Sequence, residues 1–341
     1  METIIYEKLE DRSVRCGICR HFCLIREGKR GICQVRENRG GKLISLVYPM
    51  IIAQSIDPIE KKPIFHLKPG SFSYSIATVG CNFKCAFCQN ASIAQMPPDQ
   101  MSVDIKGRIQ GKLISPEEIV AQAVKSGCES ISYTYTEPTV FFELALETAR
   151  LAKEKGLFNI FVTNGYMSEK ALRMVAPFLD AANVDLKAFS DNFYKTYCKA
   201  ALKPVKENIR LMRKLGVMVE VTTLLIPGLN DDKQEIKALA EFIAHDLGPE
   251  TPWHVSRFHP CYRMQDRPAT PVSAIMAACE AGKKAGLRYV YAGNVAGQGW
   301  ENTVCHSCGT VLVKRYGYHT DNCLAPGGLC PECKSAAYGI Y

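Results

Sequence analysis

Gly80-Cys81-Asn82-Phe83-Lys84-Cys85-Ala86-Phe87-Cys88-Gln89-Asn90 follows directly on the apolar and β-branched run 73–79. The cysteine spacing is C-x3-C-x2-C. A loop of that length wraps three thiolates around one corner of a cubane cluster. A [4Fe–4S] cluster usually takes four cysteine ligands, so three in one loop leave one iron open. An open metal position is where chemistry takes place. The competing reading, a structural zinc loop, needs four protein ligands, and no fourth cysteine lies close by in sequence.

Outward from this loop the chain alternates strand-like and helix-like segments. Apolar runs at 73–79, 130–135, 159–163, 183–187, 218–226, 254–258 and 289–292 read as buried strands. Helices are expected after 115 and over 139–155, 168–178, 205–215, 231–245 and 272–285. Ser115-Pro116-Glu117-Glu118 is a helix start, with Ser as N-cap, Pro at the first helical position and Glu three residues on. Gly127 is a natural stop for that helix. Strand–helix alternation at this spacing predicts an α/β fold with a parallel sheet, and six or seven units over 66–300 predict an open or closed barrel rather than a flat sheet. Residues 1–65 form a polar, cysteine-rich leading segment, with a hairpin expected around Gly40-Gly41. Residues 301–341 lose the alternation and form a cysteine-rich tail.

The aromatic Phe87 just before the third cysteine completes a resemblance to the radical SAM superfamily. That resemblance implies a partial (β/α)6-type barrel over 66–300 and an open iron that chelates S-adenosylmethionine. Reduction of the cluster then breaks a carbon–sulfur bond, and a 5′-deoxyadenosyl radical abstracts hydrogen from substrate. The strand ends agree, as active sites of β/α barrels gather there. Thr136-Glu137-Pro138 resembles the family's Gly-Gly-Glu-Pro element, which holds the methionine amino group, with Tyr135 and Thr136 replacing the two glycines. Thr163-Asn164-Gly165 resembles the Thr-Asn-Gly of glycyl-radical-enzyme activases, with Val162 where those carry an Asp near a monovalent cation. Asp185-Leu186-Lys187 resembles their Asp-Leu-Lys at the cofactor's carboxylate and ribose. The segment 225–231, Leu-Ile-Pro-Gly-Leu-Asn-Asp, matches their turn near the adenine. Phe258-His259-Pro260 matches the next strand end, where the His approaches the ribose. The implied cofactor-binding residues are therefore Glu137, Thr163, Asn164, Asp185, Lys187 and His259. Taken singly, Glu137 is also a helix N-terminal acid, Asp185 and Lys187 an ion pair, and His259 a loop residue.

Of sixteen cysteines, twelve are clustered, a pattern that in a reducing compartment points to metal rather than disulfides. Cys305-x2-Cys308 and Cys330-x2-Cys333, 21 residues apart, form a zinc-ribbon array; the alternatives are a second Fe–S cluster or rubredoxin-like iron. His306 and Cys323 are spare ligands. Cys16, Cys19, Cys23 and Cys33 are irregularly spaced for a ribbon; they read as a metal site, zinc ahead of Fe–S, or as a loose group of reduced thiols. Cys128, Cys198, Cys261 and Cys279 stand alone and read as packing residues. The whole pattern resembles the radical SAM component of the AmmeMemoRadiSam system, often labelled pyruvate formate-lyase activating enzyme-like.

No apolar run of eighteen residues occurs, which excludes a membrane-spanning helix, and the charged stretch 1–15 does not read as a signal peptide. A cytoplasmic location is expected. The net charge of +8 is scattered over helix faces rather than gathered into a stripe, which argues against nucleic acid. It suits docking of an acidic redox protein, and the superfamily implies a low-potential flavodoxin or ferredoxin reductant. Three functions compete. The first is radical chemistry on a small molecule with Memo-like and AMMECR-type partners. The second is a glycyl-radical-enzyme activase. The third is a non-catalytic metal scaffold or electron carrier.

Overall fold

The computed structural model describes residues 1–95, 109–295, 297 and 299–341, so parts of the 66–300 unit lie outside the described residues. Its centre is one eight-stranded sheet. In chain order the strands are β1 (Ala53–Pro58), β2 (Phe72–Ala77), β3 (Ser130–Tyr133), β4 (Phe158–Thr163), β5 (Ala181–Asp185), β6 (Met218–Leu225), β7 (Trp253–Arg257) and β8 (Val290–Gly293). They pair in sequence order, β2 to β8 all parallel, and β1 runs antiparallel to β2. The sheet is an open, partial β/α barrel, and all seven strands read from apolar runs are present. The leading edge β1 is contributed by residues that composition alone had grouped with the leading segment.

Among the described residues, the longer helices that connect the parallel strands are α1 (Pro116–Lys125), α2 (Phe142–Glu154), α3 (Glu169–Val175), α4 (Leu202–Lys214), α5 (Lys233–Phe242) and α6 (Val272–Lys284). Helix α1 begins as its sequence dictates. The Ser115 hydroxyl accepts from Glu118 N at 3.2 Å and the Glu118 carboxylate accepts from Ser115 N at 2.7 Å. Gly127 then takes φ +66°, a left-handed turn that a side chain would strain. The helix expected from 139 starts later, because Pro138–Phe141 first makes a 3-10 turn. That expected over 205–215 starts earlier, at Leu202, with Pro204 held in its first turn, where the missing N–H costs nothing.

Alternation along the strands sorts the side chains. Ile76, Ile131, Phe161, Val184, Val219 and Val255 join the helix residues Ile119, Leu144, Leu172, Ile209 and Ile275 in one buried core. The residues between them (Ser73, Ser75, Ser130, Ser132, Asn183, Glu220, Thr222, His254) face the interior. The N-terminal ends of the strands are closed by a floor. Ile59, Ile64 and Leu67 pack with Ile160, Ala181 and Met218. Beside them the Glu220 carboxylate accepts from Phe65 N (2.9 Å), His66 N (2.8 Å) and His254 Nε2 (2.6 Å).

The leading segment forms a three-stranded sheet (Tyr6–Lys8, Val14–Cys16, Leu24–Ile25) and the expected hairpin (Arg36–Arg39 with Lys42–Ser45). Buried Arg36 anchors it to α2 by a two-pronged contact with Glu143 at 2.9 and 2.7 Å. The tail is a three-stranded antiparallel sheet (Thr303–Val304, Val311–Tyr316, His319–Asn322) seated on the barrel floor. Arg315 Nη2 donates to the Phe65 carbonyl at 2.8 Å, and Ile340 exchanges backbone hydrogen bonds with His66 and Lys68, each 2.7 Å.

Candidate active site

The cysteine loop leaves β2 at its C-terminal end, the same end at which Glu137, Thr163 and Asp185 close their strands. It is pinned from several sides. Lys84 N donates to the Cys198 carbonyl (2.9 Å), Ala86 N to the Tyr197 carbonyl (3.0 Å), and Arg263 N to the Ala86 carbonyl (3.0 Å). The Cys261 thiol donates to the Phe87 carbonyl at 3.4 Å. Phe83 is fully buried and meets Tyr166 edge-on, which fixes the middle of the loop.

Glu137, Thr163 and Asn164 are drawn into one hydrogen-bonded group. The Glu137 Oε1 accepts from Thr139 N (3.1 Å), Thr139 Oγ1 (2.5 Å) and Thr163 Oγ1 (2.7 Å), and its Oε2 accepts from Asn164 N (2.8 Å). Burial raises the Glu137 carboxyl above its ordinary range, and those donors pull it back down. Oε2 has one donor and retains capacity for another. Asn164 carries the group to the cysteines: its Nδ2 donates to Asn82 Oδ1 at 2.7 Å and lies 3.9 Å from Cys81 Sγ. Gly165 takes φ +69° at this turn, where a Cβ would sit 2.9 Å from Val184.

The backbone at the substituted glycine position keeps a glycine-like shape. Tyr135 holds φ +60°, its carbonyl accepts from Asn90 Nδ2 at 2.7 Å, and its hydroxyl reaches down to Asp57. Thr136 Oγ1 donates to the Thr78 carbonyl at 2.8 Å, tying this strand end to the start of the cysteine loop.

Asp185 and Lys187 form an ion pair at 2.8 Å. The pair also faces the loop. Lys187 Nζ stands 5.7 Å from the centre of the Phe87 ring, and its charge favours the thiolates of Cys85 and Cys88. That acts against what raises them: chiefly the contact with the Cys198 thiol and then burial for Cys85, and burial for Cys88, pushed up to about 11. His259 is exposed beyond the end of β7, and the structure does not bring it into this group.

Sequence reading missed Asn82, Cys198 and Cys261. Asn82 occupies one of the positions that the cysteine spacing leaves unspecified, so nothing in the spacing marks it. Cys198 is buried, as a packing residue should be, yet it lies against Cys85, and only the chain crossing reveals that.

The tail cysteines converge as the ribbon spacing requires. The sulfurs of Cys305, Cys308, Cys330 and Cys333 all lie within 4.8 Å of one another, the arrangement for one metal ion. Both knuckles use a left-handed residue after the second cysteine, Gly309 (φ +76°) and Lys334 (φ +61°). His306 and Cys323 are exposed and lie outside that group.

Three thiols thus stand at the mouth of a partial barrel, facing a lysine and a buried carboxylate. The chain belongs to the radical SAM superfamily, whose family model matches residues 75–243. The uncharacterized protein MJ0808 of Methanocaldococcus jannaschii is 46% identical over 315 residues, covering 92% of this chain and 91% of that protein. The pyruvate formate-lyase-activating enzyme of Clostridium pasteurianum is 23% identical over 171 residues, 48% of this chain and 66% of that protein. Among solved structures, a domain of a pyruvate-formate lyase-activating enzyme from Bacteroides vulgatus aligns with a TM-score of 0.43 at 18% identity, over 48% of this chain and 99% of that one. No helix among the described residues is long and apolar enough to cross a membrane.

Proposed function

We propose that this chain binds a [4Fe–4S] cluster through Cys81, Cys85 and Cys88 and abstracts hydrogen from a small polar molecule held inside the barrel. The residues fit the cluster: three buried or half-buried thiols on one loop, with the buried Asn82 Nδ2 lacking any partner beside them. Bound there with S-adenosylmethionine, the cluster supplies reductive carbon–sulfur cleavage and a radical able to take a hydrogen atom. The chain's own residues do the rest. Glu137 Oε2, Asp185 and Asn164 stand at the strand ends to take the cofactor's amino and ribose groups. Lys187 balances the negative charge of the thiolates. Thr163 and Thr139 orient Glu137. His259 is assigned to the ribose on family resemblance.

The observation carrying the substrate class is the barrel lining. Ser130 Oγ, Asn183 Oδ1 and Thr222 Oγ1 are buried and make no hydrogen bond among the described residues. Buried polar atoms are normally paired, so a row of orphans on an interior face calls for a polar guest. The floor closes the far end, which favours a small molecule over a protein loop. The names of relatives such as the putative glycyl-radical enzyme activating enzyme MJ1632, 29% identical over 175 residues, favour the activase reading instead. Memo-like and AMMECR-type proteins are the proposed partners, a low-potential flavodoxin or ferredoxin the proposed reductant, and zinc the proposed ion of the tail.

The test is anaerobic. The reconstituted protein, dithionite and S-adenosylmethionine should yield 5′-deoxyadenosine and methionine, and Cys85→Ala should yield neither while keeping its fold. Product formation by Cys85→Ala at the wild-type rate rejects the site. The low-mass fraction of a cell extract should stimulate cleavage; stimulation confined to the protein fraction transfers the substrate assignment to the activase reading.

A further inference from the structure

The four cysteines of the leading segment meet in the fold. Cys16 closes the strand Val14–Cys16, and its N–H donates to the Cys23 carbonyl at 3.0 Å. Cys19 begins a tight turn closed by Phe22 N on its carbonyl at 3.1 Å, and a backbone bridge ties it to Met167. Cys33 comes from the loop before the hairpin. With Arg36 and Asn82, all four line one small cavity of about 20 Å³. None of the four is joined in a disulfide, and Cys16 is buried while Cys19, Cys23 and Cys33 are half-buried. Four free thiols converging on one small cavity are a ligand set.

We propose that Cys16, Cys19, Cys23 and Cys33 bind a second [4Fe–4S] cluster, one whose four irons are all cysteine-ligated.

The choice of cluster over a single ion rests on spacing. One zinc ion draws its sulfurs in to about 2.3 Å from the metal, and the tail cysteines are gathered accordingly. Among the described residues, those tail cysteines are the group of metal-ligating side chains lying mutually within 4.8 Å. The leading four stand further apart, as do Cys81, Cys85 and Cys88. A cubane interposes iron and sulfide between its ligands and so holds them apart. Positive charge is also at hand. Arg36, buried and paired with Glu143, lies within electrostatic reach of Cys16 and Cys33.

The position gives the site a role. Asn82, which lines this cavity, is the neighbour of Cys81, and its carbonyl accepts from His21 Nε2 at 2.9 Å. Gly80 opens the radical SAM loop. A Cβ there would lie 3.0 Å from the Cys33 carbonyl and 2.6 Å from Val35, so the two cysteine loops pack backbone to backbone. A second cluster here accepts one electron from a reduced low-potential protein donor and passes that electron to the first, each cluster cycling between its oxidised and one-electron-reduced forms.

The experiment uses the full chain, reconstituted anaerobically, in wild-type form and as the triple variant Cys81→Ala/Cys85→Ala/Cys88→Ala. The wild type should hold about eight irons, and the triple variant about four irons with about four sulfides, each with one zinc from the tail. The reduced triple variant should show an electron paramagnetic resonance signal that S-adenosylmethionine leaves unchanged, because no iron is open. In the wild type, the double substitution Cys16→Ala/Cys19→Ala should halve the iron content. Two zincs per chain with no iron left in the triple variant would overturn the proposal. So would a wild type holding about four irons that Cys16→Ala/Cys19→Ala does not reduce, a result that stands even if the triple variant fails to fold.

Discussion

Lys187 shows how much a single residue's meaning depends on its neighbours. In sequence it is the third residue of Asp-Leu-Lys and reads as a cofactor ligand, with a simple ion pair as the alternative. In the structure it is both paired with Asp185 and turned toward Phe87 and the thiols of Cys85 and Cys88. A buried ammonium beside a cluster favours its more negative, reduced form. Lys187→Met should therefore lower the midpoint potential of the radical SAM cluster, read by redox titration with electron paramagnetic resonance. An unchanged potential would leave Lys187 as no more than a partner for Asp185. Glu137 gives the complementary lesson. The resemblance assigned its carboxylate to the methionine amino group, yet three of its four accepted hydrogen bonds converge on Oε1 from within the chain. Its first task is to hold two strand ends together. Those donors lie on two segments, one at Thr139 and one at Thr163 and Asn164, and no sequence pattern pairs them.

At the scale of the element, local chemistry set the boundaries well where a side chain caps the helix and poorly where packing does. Helix α1 starts at its capping box, as Ser115-Pro116-Glu117-Glu118 requires. Ser115→Ala removes that cap and should cost about 1 kcal/mol, raising hydrogen exchange of the first-turn amides of α1 roughly fivefold. An unaltered exchange rate would show that tertiary packing alone holds this end. Helices α3 and α5 likewise begin at Ser168 and Asp232, whose side chains accept from the first-turn N–H groups. The start of α4 has no side-chain cap, and there the sequence reading fell three residues short. The extra turn after α5, Ile243–Leu247, winds as a π-helix, and a single such turn is too short to show its own period in the sequence.

The whole molecule is held by groups far apart in the chain. His66 sits under the barrel with Tyr291, Tyr289, Tyr338, His254, Glu220 and Arg315 around it. Its Nδ1 faces the Tyr338 carbonyl at 2.6 Å, which can only accept, so Nδ1 carries the proton and Nε2 accepts from the Tyr291 hydroxyl at 2.7 Å. Burial lowers the His66 imidazole to about 4. The neutral ring is thus favoured in the fold, while the unfolded chain takes up a proton first on acidification. The stabilisation is complete above about pH 6.5 and is lost as pH falls from there toward about 4, by at most about 3 kcal/mol. Thermal unfolding of the wild type should steepen across that window, and His66→Phe should flatten the profile while lowering stability at neutral pH. Matching acid slopes in the two proteins would remove His66 from the account. Because His66 contacts the tail through Tyr338 and Ile340, this floor also makes the tail part of the barrel's foundation rather than an appended module.

The sequence by itself determined the class of fold, the three-cysteine loop and the paired knuckles of the tail. These features are local: alternation fixes strands and helices, and a metal loop is written in a dozen consecutive residues. Tertiary structure alone decided which strand ends share a site, that Asn82 and Asn164 connect Glu137 to Cys81, that Cys198 lies on Cys85, and that the leading cysteines abut the radical SAM loop. Each of those depends on where the chain crosses itself, and contacts between residues tens to hundreds of positions apart are settled by burial of a common core rather than by any short pattern.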